Sequence, residues 1–248
     1  MRTFGLIGQS LTHSFSKDYF SKKFQKEGKD ECEYLLFELE SIEQLPHLIK
    51  SHSNLTGLNV TIPFKEQIIP YLDELDDTAL SIGAVNVVKL LPNSKLKGYN
   101  TDCPAFRESL LQWIGEDLPN KAIVLGTGGA SKAVTVALKD LNIEYQVVSR
   151  QKGSVELTYL DLQNKPNVLF SSPLIINTTP VGMYPDVDAC PVLPYHLINQ
   201  DHYLYDLIYN PERTLFLEYG QEQGALVTNG LEMLRIQAEL SWEIWNNP

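Results

Sequence analysis

The run Val124-Leu125-Gly126-Thr127-Gly128-Gly129-Ala130-Ser131 sets three glycines between a short apolar stretch and a segment of helix formers. An apolar strand from Ala122 to Leu125 that turns on glycines into a helix gathers backbone amides and the positive end of a helix dipole at one point. That arrangement holds the pyrophosphate of a dinucleotide. The spacing is GxGG followed by Ala130 rather than the full GxGxxG, so an ordinary glycine turn competes with this reading. Arg150 stands about 20 residues further on, at the end of the next strand, where NAD-selective sites carry Asp or Glu. Its guanidinium, with Lys152 close by, suits a 2′-phosphate, and a solvated strand-end arginine is the alternative.

A second set of residues offers hydrogen bonds and a proton. In Leu58-Asn59-Val60-Thr61-Ile62-Pro63-Phe64-Lys65 the period is two, so Leu58, Val60 and Ile62 face one side while Asn59 and Thr61 face the other. Lys65 emerges beyond the strand and acquires a chemical role only beside another ionisable group, for which Asp102 is the candidate. A plain helix N-cap competes for Asp102, as it does for Ser14 and Ser16 in Thr12-His13-Ser14-Phe15-Ser16. Asn86 is polar in the otherwise apolar Ala84 to Val88, and Gln237 lies on the apolar stripe Met233, Leu240, Ile244 of the last helix. Buried amides of this kind need partners, and a ligand is one.

The elements that must position these groups alternate. Strands are expected at Thr3 to Ile7, Tyr34 to Leu39 and Leu55 to Ile62, with helices over Leu11 to Phe24 and Glu43 to Lys50. A hairpin crosses Pro92-Asn93-Ser94, and a helix opened by Thr101-Asp102-Cys103-Pro104 runs to Trp113. After the break at Leu118-Pro119-Asn120, a βαβ unit runs through the glycine turn to Val148. Strands follow at Leu174 to Asn177 and Tyr203 to Tyr209, a helix at Thr214 to Gln223, a strand at Ala225 to Val227 and a helix from Leu231 to Trp245.

At 248 residues, with 43% hydrophobic and 21% charged residues, the chain has ordinary globular usage and room for two modest domains. The formal net charge of -11 disfavours a broad nucleic-acid or anionic-membrane surface, so an anionic ligand must be held by local cations and amides. Cys32, Cys103 and Cys190 are odd in number and far apart, with no metal-ligand spacing, which suits a reducing cytosol and no metal. No apolar run approaches a membrane span, and a cytoplasmic location is expected.

Taken together these residues resemble the shikimate dehydrogenases, over nearly the whole chain. Ser14 and Ser16, Asn59 and Thr61, and Asn86 in Gly-Ala-Val-Asn-Val-Val match positions that in the family bind substrate hydroxyls and carboxylate, and Lys65 and Asp102 match its catalytic pair. Gly126, Gly128, Gly129, Ala130 and Arg150 correspond to its NADP site, with Thr178 in Asn-Thr-Thr-Pro-Val-Gly-Met on a cofactor-side loop. Tyr209 in Asp-Leu-Ile-Tyr-Asn-Pro and Gln237 match the closing elements on the substrate, Gly230 and Met233 those on the cofactor. The resemblance implies an α/β fold: an N-terminal substrate-binding α/β domain, 1–101, completed by the C-terminal helix 231–248, a Rossmann NADP-binding domain, 102–230, and a cleft between them. It also implies reversible NADPH-dependent reduction of 3-dehydroshikimate to shikimate, in a monomer or homodimer with no nucleic-acid or membrane partner.

Three departures stand out. Ser149-Arg150-Gln151 replaces the family's Asn-Arg-Thr. Seven residues separate Arg150 from Thr158, too few for the family's helix there and with no second arginine. Cys103-Pro104-Ala105 replaces a glycine-containing stretch. A quinate/shikimate dehydrogenase using NAD is the alternative, and a non-catalytic NADP-sensing protein on the same scaffold a remote one.

Overall fold

A computed structural model describes residues 1–11, 14–92, 94–153 and 157–247. Thr12 and His13 of the serine run, Asn93 of the hairpin turn and residues 154–156 after Arg150 lie outside the described residues. The chain forms two compact units, one of Met1–Thr101 joined by the residues from Ala238 on, the other of Asp102–Gln237. The sequence placed the second changeover at 231; by contacts it falls inside the last helix, between Gln237 and Ala238.

The first unit contains β1 (Arg2–Gly8), α1 (Phe15–Glu27), β2 (Cys32–Glu38), α2 (Leu45–Ser51), β3 (Leu55–Val60), α3 (Phe64–Gln67), β4 (Glu74–Leu75), α4 (Asp77–Ile82), β5 (Val87–Leu90) and β6 (Leu96–Tyr99). Its sheet runs β2-β1-β3-β5-β6-β4, with β1 parallel to β2 and β3, and with β5 antiparallel to both neighbours. Side chains alternate across it. Ile7, Leu58, Val60 and Val88 pack with α2 and α3 residues such as Leu48 and Phe64. On the opposite face Phe4, Leu6, Tyr34 and Val87 pack against Phe20 and Phe24 of α1 and against Ala238 and Trp245 from the C-terminal segment. Gly57 must be glycine here, because a Cβ would lie 2.2 Å from the Trp245 ring nitrogen.

The second unit contains α5 (Asp102–Ile114), β7 (Lys121–Leu125), α6 (Gly129–Asp140), β8 (Glu144–Ser149), β9 (Leu157–Thr158), α7 (Tyr159–Asn164), α8 (Pro166–Phe170), β10 (Leu174–Asn177), β11 (Tyr203–Asp206), α9 (Leu215–Glu222) and β12 (Leu226–Thr228). The last helix, α10, spans Leu231–Asn246 and so belongs to both units in turn. All strands of this second sheet are parallel, in the order β12-β11-β10-β7-β8-β9. Numbered from β7, this is the doubly wound order 3-2-1-4-5-6 read from the β9 edge, which reverses between β7 and β10. Ile123, Leu125, Ile175 and Leu204 fill one face beneath α8 and α9.

Four local readings are corrected. α1 starts at Phe15 rather than Leu11, because Ser14 caps it by accepting from the Lys17 amide at 3.4 Å. Ile62 does not continue the core face of β3. The Phe64 amide donates to the Thr61 carbonyl, the chain turns into α3, and Ile62 is 64% exposed. β11 stops at Asp206, three residues before Tyr209. No element was expected over 66–83, where β4 and the Asp76-capped α4 form, nor over 157–170.

Candidate active site

In the first unit the candidates sit on β3, on the segment before β5 and at the start of α1. Asn59 is 4% exposed on the α1 side of β3. Its Oδ1 accepts from the Tyr34 hydroxyl at 2.7 Å, and its Nδ2 donates to Ser241 Oγ at 3.0 Å and to the Asn86 carbonyl at 3.4 Å. Ser16, buried in the first turn of α1, hydrogen-bonds Tyr34 in its turn. Burial pushes the Tyr34 hydroxyl well above the ordinary tyrosine value against the bond from Ser16, so it stays a proton donor. Asn86 spends its side chain on Thr101, donating to Oγ1 at 2.9 Å and accepting from the amide at 2.8 Å. The structure thus brings Ser16, Asn59 and Asn86 into one buried network. Thr61 and Lys65 are half-buried beyond the strand end, where the Lys65 carbonyl accepts from the Val85 amide at 2.7 Å. Ser14 is engaged as the α1 cap.

In the second unit Asp102 is the buried first residue of α5, inside the helix rather than in the capping position before it. The glycine turn follows β7. Gly126 takes φ +108°, in the left-handed region that glycine tolerates, and a Cβ there would press to 2.9 Å on Thr178 Oγ1. Gly128 precedes α6, which no side chain caps, unlike α1, α4 and α7. A Cβ on Gly128 would meet nothing within 4 Å, so the space beside this residue is open, while Gly129 and Ala130 are half-buried. This uncapped twelve-residue helix starts where the strand order reverses, the position at which open α/β sheets take their ligands. Arg150 is exposed just past β8. The residues present fit a dinucleotide with a 2′-phosphate: an uncapped helix start suits the pyrophosphate, and an exposed guanidinium past the next strand suits the additional phosphate.

Thr178 is fixed at the opposite wall, its amide and hydroxyl both donating to the Leu125 carbonyl, at 3.0 and 2.6 Å. Gly230 is glycine by close approach, since a Cβ would lie 2.1 Å from the Leu207 carbonyl oxygen. Met233 is buried one turn into α10. Gln237 is buried as well and donates to the Leu234 carbonyl of its own helix at 3.1 Å. Tyr209 is half-buried in the segment after β11. An open cavity of about 500 Å³ between Arg213, Gln221 and Asn229 lies by β12, three strands from β7, and none of the candidate residues lines it.

Sequence reasoning missed the residues that hold these groups. Tyr34 read only as the first residue of a strand, and Ser241, one turn beyond Gln237, was passed over. Asp206 also passed unnoticed. It is fully buried at the end of β11, where Oδ1 accepts from Asn177 Nδ2 and from the Ile208 amide, both at 3.0 Å, and Oδ2 from Thr214 Oγ1 at 2.6 Å. Asn177 in turn accepts from the Thr179 amide and hydroxyl. A carboxylate and an amide in Asn-Thr-Thr-Pro and Asp-Leu-Ile-Tyr-Asn-Pro were the available signal. Among the described residues no group of His, Cys, Asp and Glu could hold a metal, and no helix is long and apolar enough to cross a membrane.

Residues 6–88 match the family model of the shikimate dehydrogenase substrate binding domain. The NADP(+) shikimate dehydrogenase of Clostridium beijerinckii is 42% identical, with 99% of this chain and 92% of that protein covered. The chain belongs to the shikimate dehydrogenase family. Its fold is that of shikimate dehydrogenase 1 from Peptoclostridium difficile, with TM-score 0.85, 39% identity, and 99% of this chain and 91% of that one covered. It is also that of the Thermus thermophilus enzyme crystallised with NADP(H) and shikimate, with TM-score 0.81, 31% identity, and 99% and 94% covered.

Proposed function

We propose that this protein catalyses the reversible NADPH-dependent reduction of 3-dehydroshikimate to shikimate. The observation that carries the reading is the open, uncapped glycine start of α6 at the strand-order reversal, followed by Arg150 past β8, in a chain of this family. When bound, NADPH supplies the hydride. The residues of the chain then have three tasks. Backbone amides from Gly128 to Ala130 hold the pyrophosphate, and Arg150 holds the 2′-phosphate by charge-assisted hydrogen bonds. Ser14, Ser16, Asn59, Thr61, Asn86, Tyr209 and Gln237 bind the hydroxyls and carboxylate of the substrate. Lys65 and Asp102 act as the catalytic pair: the ketone oxygen gains negative charge as the carbon gains hydrogen, and the pair delivers positive charge and a proton to that oxygen. Among the described residues Cys32, Cys103 and Cys190 form no disulfide, which supports work in a reducing compartment.

Steady-state rates with shikimate and quinate, each with NADP+ and NAD+, test the reading. Shikimate with NADP+ is expected to give the highest kcat/KM, whereas a preference for NAD+ would favour the quinate/shikimate alternative. Lys65→Ala is expected to lower kcat by about 10²- to 10⁴-fold with the KM for shikimate changed only a few-fold. Near-normal turnover in that variant would remove Lys65 from the chemistry.

A further inference from the structure

The side-chain amide of Asn59 is determined in orientation as well as in place. A backbone carbonyl only accepts, so the group facing the Asn86 carbonyl must be Nδ2, and the Tyr34 hydroxyl therefore donates to Oδ1. Nδ2 has two hydrogens, and the Asn86 carbonyl and Ser241 Oγ take both. Oδ1 has two lone pairs, and among the described residues Tyr34 takes one. Tyr34 is held in that role by Ser16 and by stacking on Phe20, with ring centroids 4.7 Å apart and planes 13° from parallel.

We propose that Tyr34 and Ser241 are positioning residues that lock Asn59 so that it offers a substrate one acceptor and no donor, making it the reader of a substrate hydroxyl. A ligand with a ketone or ether oxygen at that point would set acceptor against acceptor, and one with hydrogen there would forgo the bond. The inference rests on the assignment of Asn59 to the shikimate site. It adds that selectivity is set from behind, by β2 and the C-terminal helix.

The test compares shikimate with analogues that each lack one ring hydroxyl other than the one that is oxidised, in the full-length wild type and in Asn59→Ala, Tyr34→Phe and Ser241→Ala. In the wild type one analogue is expected to lose kcat/KM beyond the others through Asn59, and Asn59→Ala should erase that excess. Tyr34→Phe and Ser241→Ala should each shrink the same excess by about three- to ten-fold. The effect should fall on the KM for shikimate, with the KM for NADP+ unchanged. A merely structural role would raise KM for all analogues alike and lower the urea midpoint, and that result overturns the inference. So does an unchanged excess in both positioning variants while Asn59→Ala erases it. If Tyr34→Phe does not fold, the smaller change Ser241→Ala decides. Absence of any wild-type turnover with shikimate and either cofactor would overturn the proposed activity and this inference together, so the two failures are distinguishable.

Discussion

Individual residues show how far environment, rather than type, decides chemistry. Cys103 immediately follows Asp102 at the start of α5, a place where a thiol could be activated by the helix dipole. It is 3% exposed, and burial, with Asp140 and Asp102 adding negative charge against Arg107, pushes its thiol up to about 11. At pH 7.5 the thiolate fraction is then small, and a thiol that is both buried and protonated is a poor nucleophile. Iodoacetamide at pH 7.5 is therefore expected to leave Cys103 unmodified in the native protein and to label it after denaturation, as peptide mass spectrometry would show. Labelling in the native state at the rate of a free peptide thiol would contradict the burial described. The sequence exposed Asn59, Asn86 and Gln237 because an amide in an apolar run is conspicuous. It did not expose Tyr34, since a tyrosine in a strand is unremarkable until its hydroxyl is seen to have a partner 25 positions away.

Elements are held in register at the carboxyl ends of the second sheet by one charged residue. Asp206 ties the turn after β10, through Asn177 and Thr179, to the segment after β11 and to Thr214 ahead of α9. Burial raises its carboxyl from 3.8 to about 6, outweighing the bonds from Thr214, Ile208 and Asn177 that lower it. The sign follows from proton binding: between pH 3.8 and about 6 the native state holds a proton that the unfolded chain has lost. Stability from this group is full below the unfolded value and falls as pH rises through about 6, by on the order of 3 kcal/mol. Asp206→Asn removes the titration, so the variant is expected to gain on the wild type between pH 4.5 and pH 7.5. Urea unfolding at both values measures it, and a constant difference would show that Asp206 ionises normally. Such a carboxylate is retained at a cost, which fits an element that fixes the Thr178 and Tyr209 loops rather than one that stabilises the core. The sequence revealed the long members of both sheets through apolar runs and glycine turns. It did not reveal β4, β9 or α8, because elements of two to five residues carry too few positions for a period.

At the scale of the whole molecule, organisation and charge raise separate questions. The break at Thr101 was legible because Asp102 opens a helix after a hairpin. The second break was not, because it falls within α10, which runs as one helix from Leu231 to Asn246 across it. Trp245 serves the first unit's core beside Phe4 and Phe20, so local sequence marks the helix but not the unit it serves. Charge bears on both proposed ligands. The chain carries a formal charge of -11, while NADPH and shikimate are anions, so the long-range field opposes binding and only short contacts favour it. Those two contributions respond differently to salt. At 0.15 M the Debye length is about 8 Å, longer than a hydrogen-bonded phosphate contact of about 3 Å but shorter than the spread of surface carboxylates across a domain. Added salt therefore screens the repulsion more than it weakens the contacts at α6 and Arg150. Raising ionic strength from about 0.02 to about 0.15 M is expected to lower the KM for NADPH or leave it unchanged. A KM that rises several-fold over that interval would mean that attraction from spread surface cations governs cofactor capture, against the local amide and guanidinium grip inferred from the glycine turn.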